Sequence, residues 1–248
     1  MPPSIDGFTP ERAMVVVAHP DDAEFMAAGT AAKWAAAGSE VTYVIVTKGD
    51  KGSDDPEMTP AKLTAVREAE QRAACAILGV RQAIFMGYED GYLEHTLPLR
   101  RDITRLIRQH RPEVVICFDP TNRWFNENYV NHPDHRASGD ATVDAVFPSA
   151  RDRLTFPELL TEGLAPWKVS QLWLGSAQQP NAWVDIGETL ELKKQALLAH
   201  SSQIPPEMAG FAEMMGRWAA AGQDGIEYAE SFRRFFFDLP PGDWEPGS

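Results

Sequence analysis

Four short apolar runs, rich in β-branched residues, constrain this chain more than anything else in it. They are AMVVVAH (13–19), EVTYVIVT (40–47), AIFMGY (83–88) and EVVICFDP (113–120). Runs of this length and composition are the pattern of strands buried on both faces. Segments of helical length stand between them. EFMAAGTAAKWAAAG (24–38) is Ala-rich and stops at Gly38. TPAKLTAVREAEQRAACAILG (59–79) opens with Thr59 as cap and Pro60 at the first helical position, and stops at Gly79. LPLRRDITRLIRQH (97–110) is amphipathic, and HRASGDATVDAVF (135–147) reads as a further helix. Strands alternating with helices in this way predict βαβ units with right-handed crossovers. The expected fold is therefore α/β: a Rossmann-like, open, mostly parallel sheet with helices on both faces, in a single domain over residues 1–248.

The second half is less regular. SQLWLGS (170–176) and NAWVDIG (181–187) read as two more strands and ETLELKKQALLAH (188–200) as a helix. Residues 201–248 carry Pro205, Pro206, Pro240 and Pro241 among many aromatics. They are expected to form an irregular C-terminal extension with short helix, packed on the main domain. With 36 acidic and 23 basic residues the formal net charge is −13. Such a field disfavours nucleic acid and anionic membrane as partners. No apolar stretch approaches the length of a membrane span. The N-terminus has no basic region leading into an apolar one, so no secretory signal is expected. Cys75 and Cys117 are the two cysteines, far apart in apolar surroundings, which suits small buried hydrophobes and a reducing compartment. The expected location is the cytoplasm.

Sites in open parallel sheets form beyond the carboxyl ends of the strands, where the strand order reverses. In the commonest order the first and fourth strands flank that point. HPDDAE (19–24) follows the first strand, and DPTNRWFNENYVNHPDHR (119–136) follows the fourth. The chain's two His-Pro-Asp tripeptides are thus expected at one crevice. His19, Asp22 and His135 suit a metal site of two imidazoles and one carboxylate, and zinc accepts both donor types at about 2.0–2.2 Å. Three protein ligands leave a position open for water, as catalytic zinc requires. Asp21, beside Asp22, is placed to accept a proton as general base. His132 lies three residues before His135 and is expected to stabilise an oxyanion and protonate a leaving amine. Asp134 is expected to hold His132 in its tautomer.

Plainer roles compete. A lone His-Pro-Asp is usually turn chemistry with Asp capping the next helix; two of them after strands on one sheet edge favour the metal site. Glu24 is expected simply to favour the N-terminal dipole of its helix. GDKGSDD (49–55) lacks the ligand spacing of a calcium loop and is expected to be a solvated loop. Arg67 and Glu70, three apart on a helix, suit a surface ion pair. His95 and His110 have no evident metal partner.

AHPDDAEFMAAGT together with HPDHRASGDATVDAVF resembles the LmbE-like, or PIG-L-type, zinc N-deacetylases. The similarity runs from about residue 13 to about residue 203 and takes in TKGDKGS, REAEQRAACAILGV, FDP and HSSQ. The resemblance implies hydrolysis of the acetyl group of an N-acetylglucosamine-type amino sugar or glycoconjugate. It implies His19, Asp22 and His135 as zinc ligands, Asp21 as base, and His132 as acid with Asp134 behind it. It also makes Arg67 a candidate sugar contact and sets His200 at the border of the pocket. Members are often oligomers, and the aromatic C-terminal region is suited either to a partner subunit or to its own core. Met26 and Ala28 stand where many members have small glycines, which predicts a tighter or more apolar pocket floor. Arg123, Trp124, Phe125 and Asn126 are suited to a sugar or another ring; a packed lid that touches no ligand is the alternative. Two other functions stay open at this point: an amidase for a larger thiol conjugate, and a non-catalytic sugar- or nucleotide-binding module. A dinucleotide is disfavoured because no G-x-G-x-x-G follows the first strand.

Overall fold

The computed structural model describes residues 7–125 and 127–237. The four expected strands are present as β1 (Arg12–Val17), β2 (Glu40–Thr47), β3 (Gln82–Tyr88) and β4 (Val114–Phe118). The helices between them are α1 (Asp22–Ala36), α2 (Pro60–Leu78) and α3 (Leu97–His110). Thr59 caps α2 by accepting the Lys62 N–H, with Pro60 in the first turn, and Gly79 ends the helix at φ 73°. A short hairpin of β5 (Trp124–Phe125) and β6 (Tyr129–Val130) leads into α4 (Pro133–Asp144). Then follow α5 (Glu158–Thr161), β7 (Gln171–Gly175), β8 (Ala182–Asp185), α6 (Leu190–Leu198), α7 (Phe211–Ala220) and β9 (Ala229–Phe236).

The main sheet has the order β3-β2-β1-β4-β7-β9-β8. From β3 to β7 every pairing is parallel; β9 is antiparallel to both its neighbours. Alternation along the strands sorts the core into two layers. Ala13, Val15 and Val17 of β1 pack with α1, α2, α6 and α7. Met14 and Val16 pack on the other side with α3 and α4. This is the expected α/β fold with helices on both faces, in one domain. Cys75 and Cys117 are both free and buried.

The C-terminal segment departs from its expected irregularity. Residues 211–220 are helix, and residues 229–236 form a full strand inserted between β7 and β8. AESFRRFF lacks a clean apolar alternation, so its strand character comes from pairing with both neighbours rather than from its own pattern. Residues 238–248, with Pro240 and Pro241, lie outside the described residues. Among the described residues no helix is long and apolar enough to cross a membrane.

β1 pairs with β2 on one side and β4 on the other, so the strand order reverses between β1 and β4. The chain leaving β1 carries residues 19–22, and the chain leaving β4 returns through the hairpin to α4. Both His-Pro-Asp tripeptides are thereby brought to one end of the sheet.

Candidate metal centre and active site

Asp22 sits between two imidazoles. Its Oδ2 lies 3.3 Å from His19 Nδ1 and accepts the His19 backbone N–H at 2.7 Å. Its Oδ1 lies 3.1 Å from His135 Nε2. All three side chains are largely buried. Although burial opposes it, His135 and His19 hold the Asp22 carboxyl far below the ordinary carboxylate range. His135 is fixed by Asn131, whose Oδ1 lies 3.0 Å from Nδ1, and by Phe118, whose ring stacks on it at 4.2 Å.

His19 has further acidic neighbours on its other nitrogen. Nε2 lies 3.1 Å from Asp90 Oδ1 and 3.2 Å from Asp134 Oδ2. Against burial, Asp22, Asp134 and Asp90 push His19 up to about 12. Three carboxylates around one buried ring are a local excess of negative charge that a bound cation would offset. The donors fit such an ion: imidazole nitrogens and a carboxylate facing inward, with more carboxylates behind His19 as metal-ligating histidines usually have. One ring nitrogen from each of His19, His132 and His135 lies within 4.8 Å of the other two. So do the ligand atoms of His19, Asp90, His132 and Asp134. A His/Asp group able to hold a metal ion is therefore present.

Asp134 has a different partner from the one expected. Its carboxylate meets His19 and accepts the Gly91 and Leu93 N–H groups at 2.7 and 3.2 Å. Its Oδ1 lies 3.9 Å from His132 Nδ1, beyond hydrogen-bond reach. The His132 tautomer is set instead by the Asp134 backbone N–H, which donates to Nδ1 at 3.2 Å. In the neutral ring the proton then resides on Nε2. Burial and the charge on His19 hold His132 below its ordinary value. Adding a proton at Nδ1 would set two donors against each other, so the imidazolium form expected from the sequence is disfavoured here.

Asp21 precedes α1 at φ 98° and ψ −27°, a conformation that side-chain-bearing residues seldom adopt, and its side chain makes no helix cap. Neighbours hold it there: its N–H donates to Gln71 Oε1 at 3.1 Å, and Arg67 donates to its Oδ2 at 3.1 Å and to the Pro20 carbonyl at 2.6 Å. Burial and the adjacent Asp22 push Asp21 up to about 7, against Arg67, His200 and His19. Arg67 is nearly buried and also donates to the Gly49 carbonyl at 3.1 Å. Its place is behind the Asp21 turn, not on the cavity wall. Gly49, at φ 59°, leaves room for it; a Cβ there would come within 2.9 Å of the guanidinium.

Several minor roles change. Glu70 is not paired with Arg67; it accepts from Ser201 and Ser202 of HSSQ. Glu24 stands in the first turn of α1 but is fully buried, bound to Gln71 at 2.9 Å and His200 at 3.2 Å. His200 is likewise fully buried and does not line the cavity. Asp50 is buried and accepts the Asp90 N–H at 3.2 Å, while residues 51–57 are all exposed. Asp90 was not anticipated. Its signal is its place, two residues after β3 on the edge that carries His19.

The hairpin overhangs the site. Phe125 and Tyr129 line the cavity at Asp22 and His135, whereas Arg123 is exposed and Trp124 is 60% exposed. A tightly packed lid is therefore not what this loop forms. Asn126 lies outside the described residues.

The family profile for PIG-L, "GlcNAc-PI de-N-acetylase", matches residues 14–146. The chain belongs to the PIG-L family. This stretch runs from β1 through α4 and contains every residue placed at the centre above. A PIG-L relative, the diacetylchitobiose deacetylase of Thermococcus kodakarensis, is 30% identical over 90% of this chain and 82% of its own length. The 1D-myo-inositol 2-acetamido-2-deoxy-alpha-D-glucopyranoside deacetylase of Mycobacteroides abscessus is 28% identical over 79% of this chain and 82% of its own. The solved N,N'-diacetylchitobiose deacetylase of Pyrococcus horikoshii superposes with a TM-score of 0.84 at 28% identity, covering 94% of this chain and 88% of that one. Within the PIG-L family the chemistry common to these relatives is hydrolysis of an amide bond on an amino sugar.

Proposed function

We propose that the chain is a zinc-dependent N-deacetylase that removes the acetyl group from an N-acetylglucosamine-type amino sugar or glycoconjugate. The observation that carries this reading is Asp22 bridging His19 and His135 with Asp21 next in the chain and His132 at the same crevice. His19, Asp22 and His135 would hold the ion, with Asp134 and Asp90 fixing His19 and Asn131 fixing His135. A zinc ion bound there supplies Lewis-acid polarisation of the amide carbonyl and of the attacking water. Asp21 takes the proton of that water as its oxygen adds to the carbonyl carbon. His132, with its proton on Nε2, donates a hydrogen bond to the carbonyl oxygen as charge develops on it. When the C–N bond breaks, the amine leaves with the proton that Asp21 took, and acetate is the other product. Arg67 and Gln71 keep the Asp21 carboxylate turned toward the crevice.

The relatives do not favour the two other readings, a thiol-conjugate amidase or a non-catalytic module. The deciding experiment pairs metal analysis with Asp21→Asn. The expected result is about one zinc per chain, loss of acetate release on chelation, and a variant that keeps its zinc while turnover falls by about 10²–10⁴-fold. Near-normal turnover in Asp21→Asn would remove Asp21 from its role. Failure to bind any divalent ion under metal-replete conditions would remove the enzyme reading.

A further inference from the structure

The cavity that opens at Asp22 and His135 has a volume of about 650 Å³. That is far more than an acetyl group fills, and it falls among pockets of about 300–1,000 Å³ that take drug-sized ligands. Its walls are apolar: Phe25 and Met26 from α1, Phe118 from the end of β4, and Phe211, Met215 and Trp218 from α7. Phe25 and Phe211 meet edge to face at 6.0 Å. Met26 lies over Gly175 of β7, where a Cβ would come within 2.3 Å of its thioether, so the floor is a flexible apolar side chain.

The charged and amide groups that reach the cavity already have partners. Asp22 is engaged by both imidazoles. Asn131 faces His135 with one end and donates to the Asn122 carbonyl at 2.7 Å with the other. Lys193 and Glu230 are paired at 2.6 Å; Lys193 also donates to the Phe25 carbonyl, and Glu230 accepts the Gly29 and Thr30 N–H groups. Gly29 is seven residues along α1 from Asp22, so at a rise of 1.5 Å per residue this end lies about 10 Å from the metal centre. A pyranose pushed wholly into the space would strip water from several hydroxyls and find few free partners. A hydrocarbon chain or ring would lose no hydrogen bonds and gain burial.

We propose that this cavity binds an apolar alkyl or aryl substituent carried by the N-acylated amino sugar. The reacting amide lies at Asp22 and His135, and the sugar ring at the mouth under the β5–β6 hairpin. This assignment rests on the amide-hydrolase reading above. Two attachment points share the chemistry: a hydrocarbon on the C1 oxygen, or an N-acyl chain longer than acetyl.

Two substrate series with the zinc-loaded enzyme distinguish them. One is the methyl, butyl and octyl glycosides of N-acetylglucosamine; the other is methyl glucosaminide N-acylated with acetyl, butanoyl and octanoyl groups. One series is expected to gain kcat/KM with chain length, by up to about fourfold per buried methylene, and thereby to identify the attachment point. Trp218→Ala and Met215→Gln are each expected to shrink the octyl-to-methyl (or octanoyl-to-acetyl) ratio about tenfold or more. Circular dichroism and zinc content check that both variants fold. Independently of turnover, octyl β-glucoside should bind at least about tenfold more tightly than methyl β-glucoside in a tryptophan-fluorescence titration. Tight octyl binding without turnover of any N-acyl sugar would sink the hydrolase reading and support the cavity assignment. Flat series in both kinetics and binding, or variants that lower long and short substrates by one factor, would overturn the cavity assignment.

Discussion

Arg67 acts on the proposed chemistry through Asp21. Burial and Asp22 push that carboxyl up to about 7, and the guanidinium 3.1 Å away is one of the groups pulling it back. A base works only when ionised, so kcat/KM should fall as the pH drops through the Asp21 pKa. Arg67→Met removes a neighbouring cation, the pKa rises further, and the fall should begin at higher pH. A pH–rate profile should show a loss at pH 6 that exceeds the loss at pH 9 by about tenfold for each unit the pKa moves. Asp134 makes a second test. Its carboxylate holds His19 from behind, so Asp134→Asn should weaken zinc binding by about 10–100-fold in chelator competition. Of these two roles, the sequence pointed to neither directly. Asp134 is adjacent in sequence to His135 and two residues from His132, yet its carboxylate reaches 115 positions away to His19. Local spacing suggested the nearer imidazole, and tertiary convergence selected the farther one.

Among the elements, α1 is tied to distant chain by two buried charges. Lys193 of α6 and Glu230 of β9 are 2% and 4% exposed, and both bond to its backbone. Removing one partner of such a pair leaves the other charge buried and uncompensated. Lys193→Met should therefore cost about 3–5 kcal/mol in urea denaturation. Adding Glu230→Gln in that background should restore part of the loss, because the stranded charge is gone. β1 to β4 and α1 to α4 were legible because each carries its own periodicity and its own stop and start residues. β9 was not, because four polar side chains fall among its first six residues and only pairing with β7 and β8 on either side makes it a strand. The hairpin β5–β6 is two residues a side, too short for any periodic signal.

At the scale of the molecule, β9 makes the C-terminal segment part of the sheet. Among the described residues β8 has no sheet neighbour but β9. A chain ending at residue 205 should therefore lose both α7 and the anchoring of β8, and expose the edge of β7 to other molecules. Size-exclusion chromatography and circular dichroism should show aggregated or unfolded protein rather than a trimmed, stable domain. The switch point between β1 and β4 followed from strand alternation alone, and with it the meeting of His19, Asp22 and His135. The acidic surround of His19 and the apolar far wall needed strands and helices that lie well apart along the chain. That separation has a consequence for how such a protein can diversify. The proposed reacting groups all fall within residues 14–146, while α7 lies beyond them in the chain. Substitutions along that later helix can recut what the protein accepts while the bond-breaking apparatus is inherited unaltered.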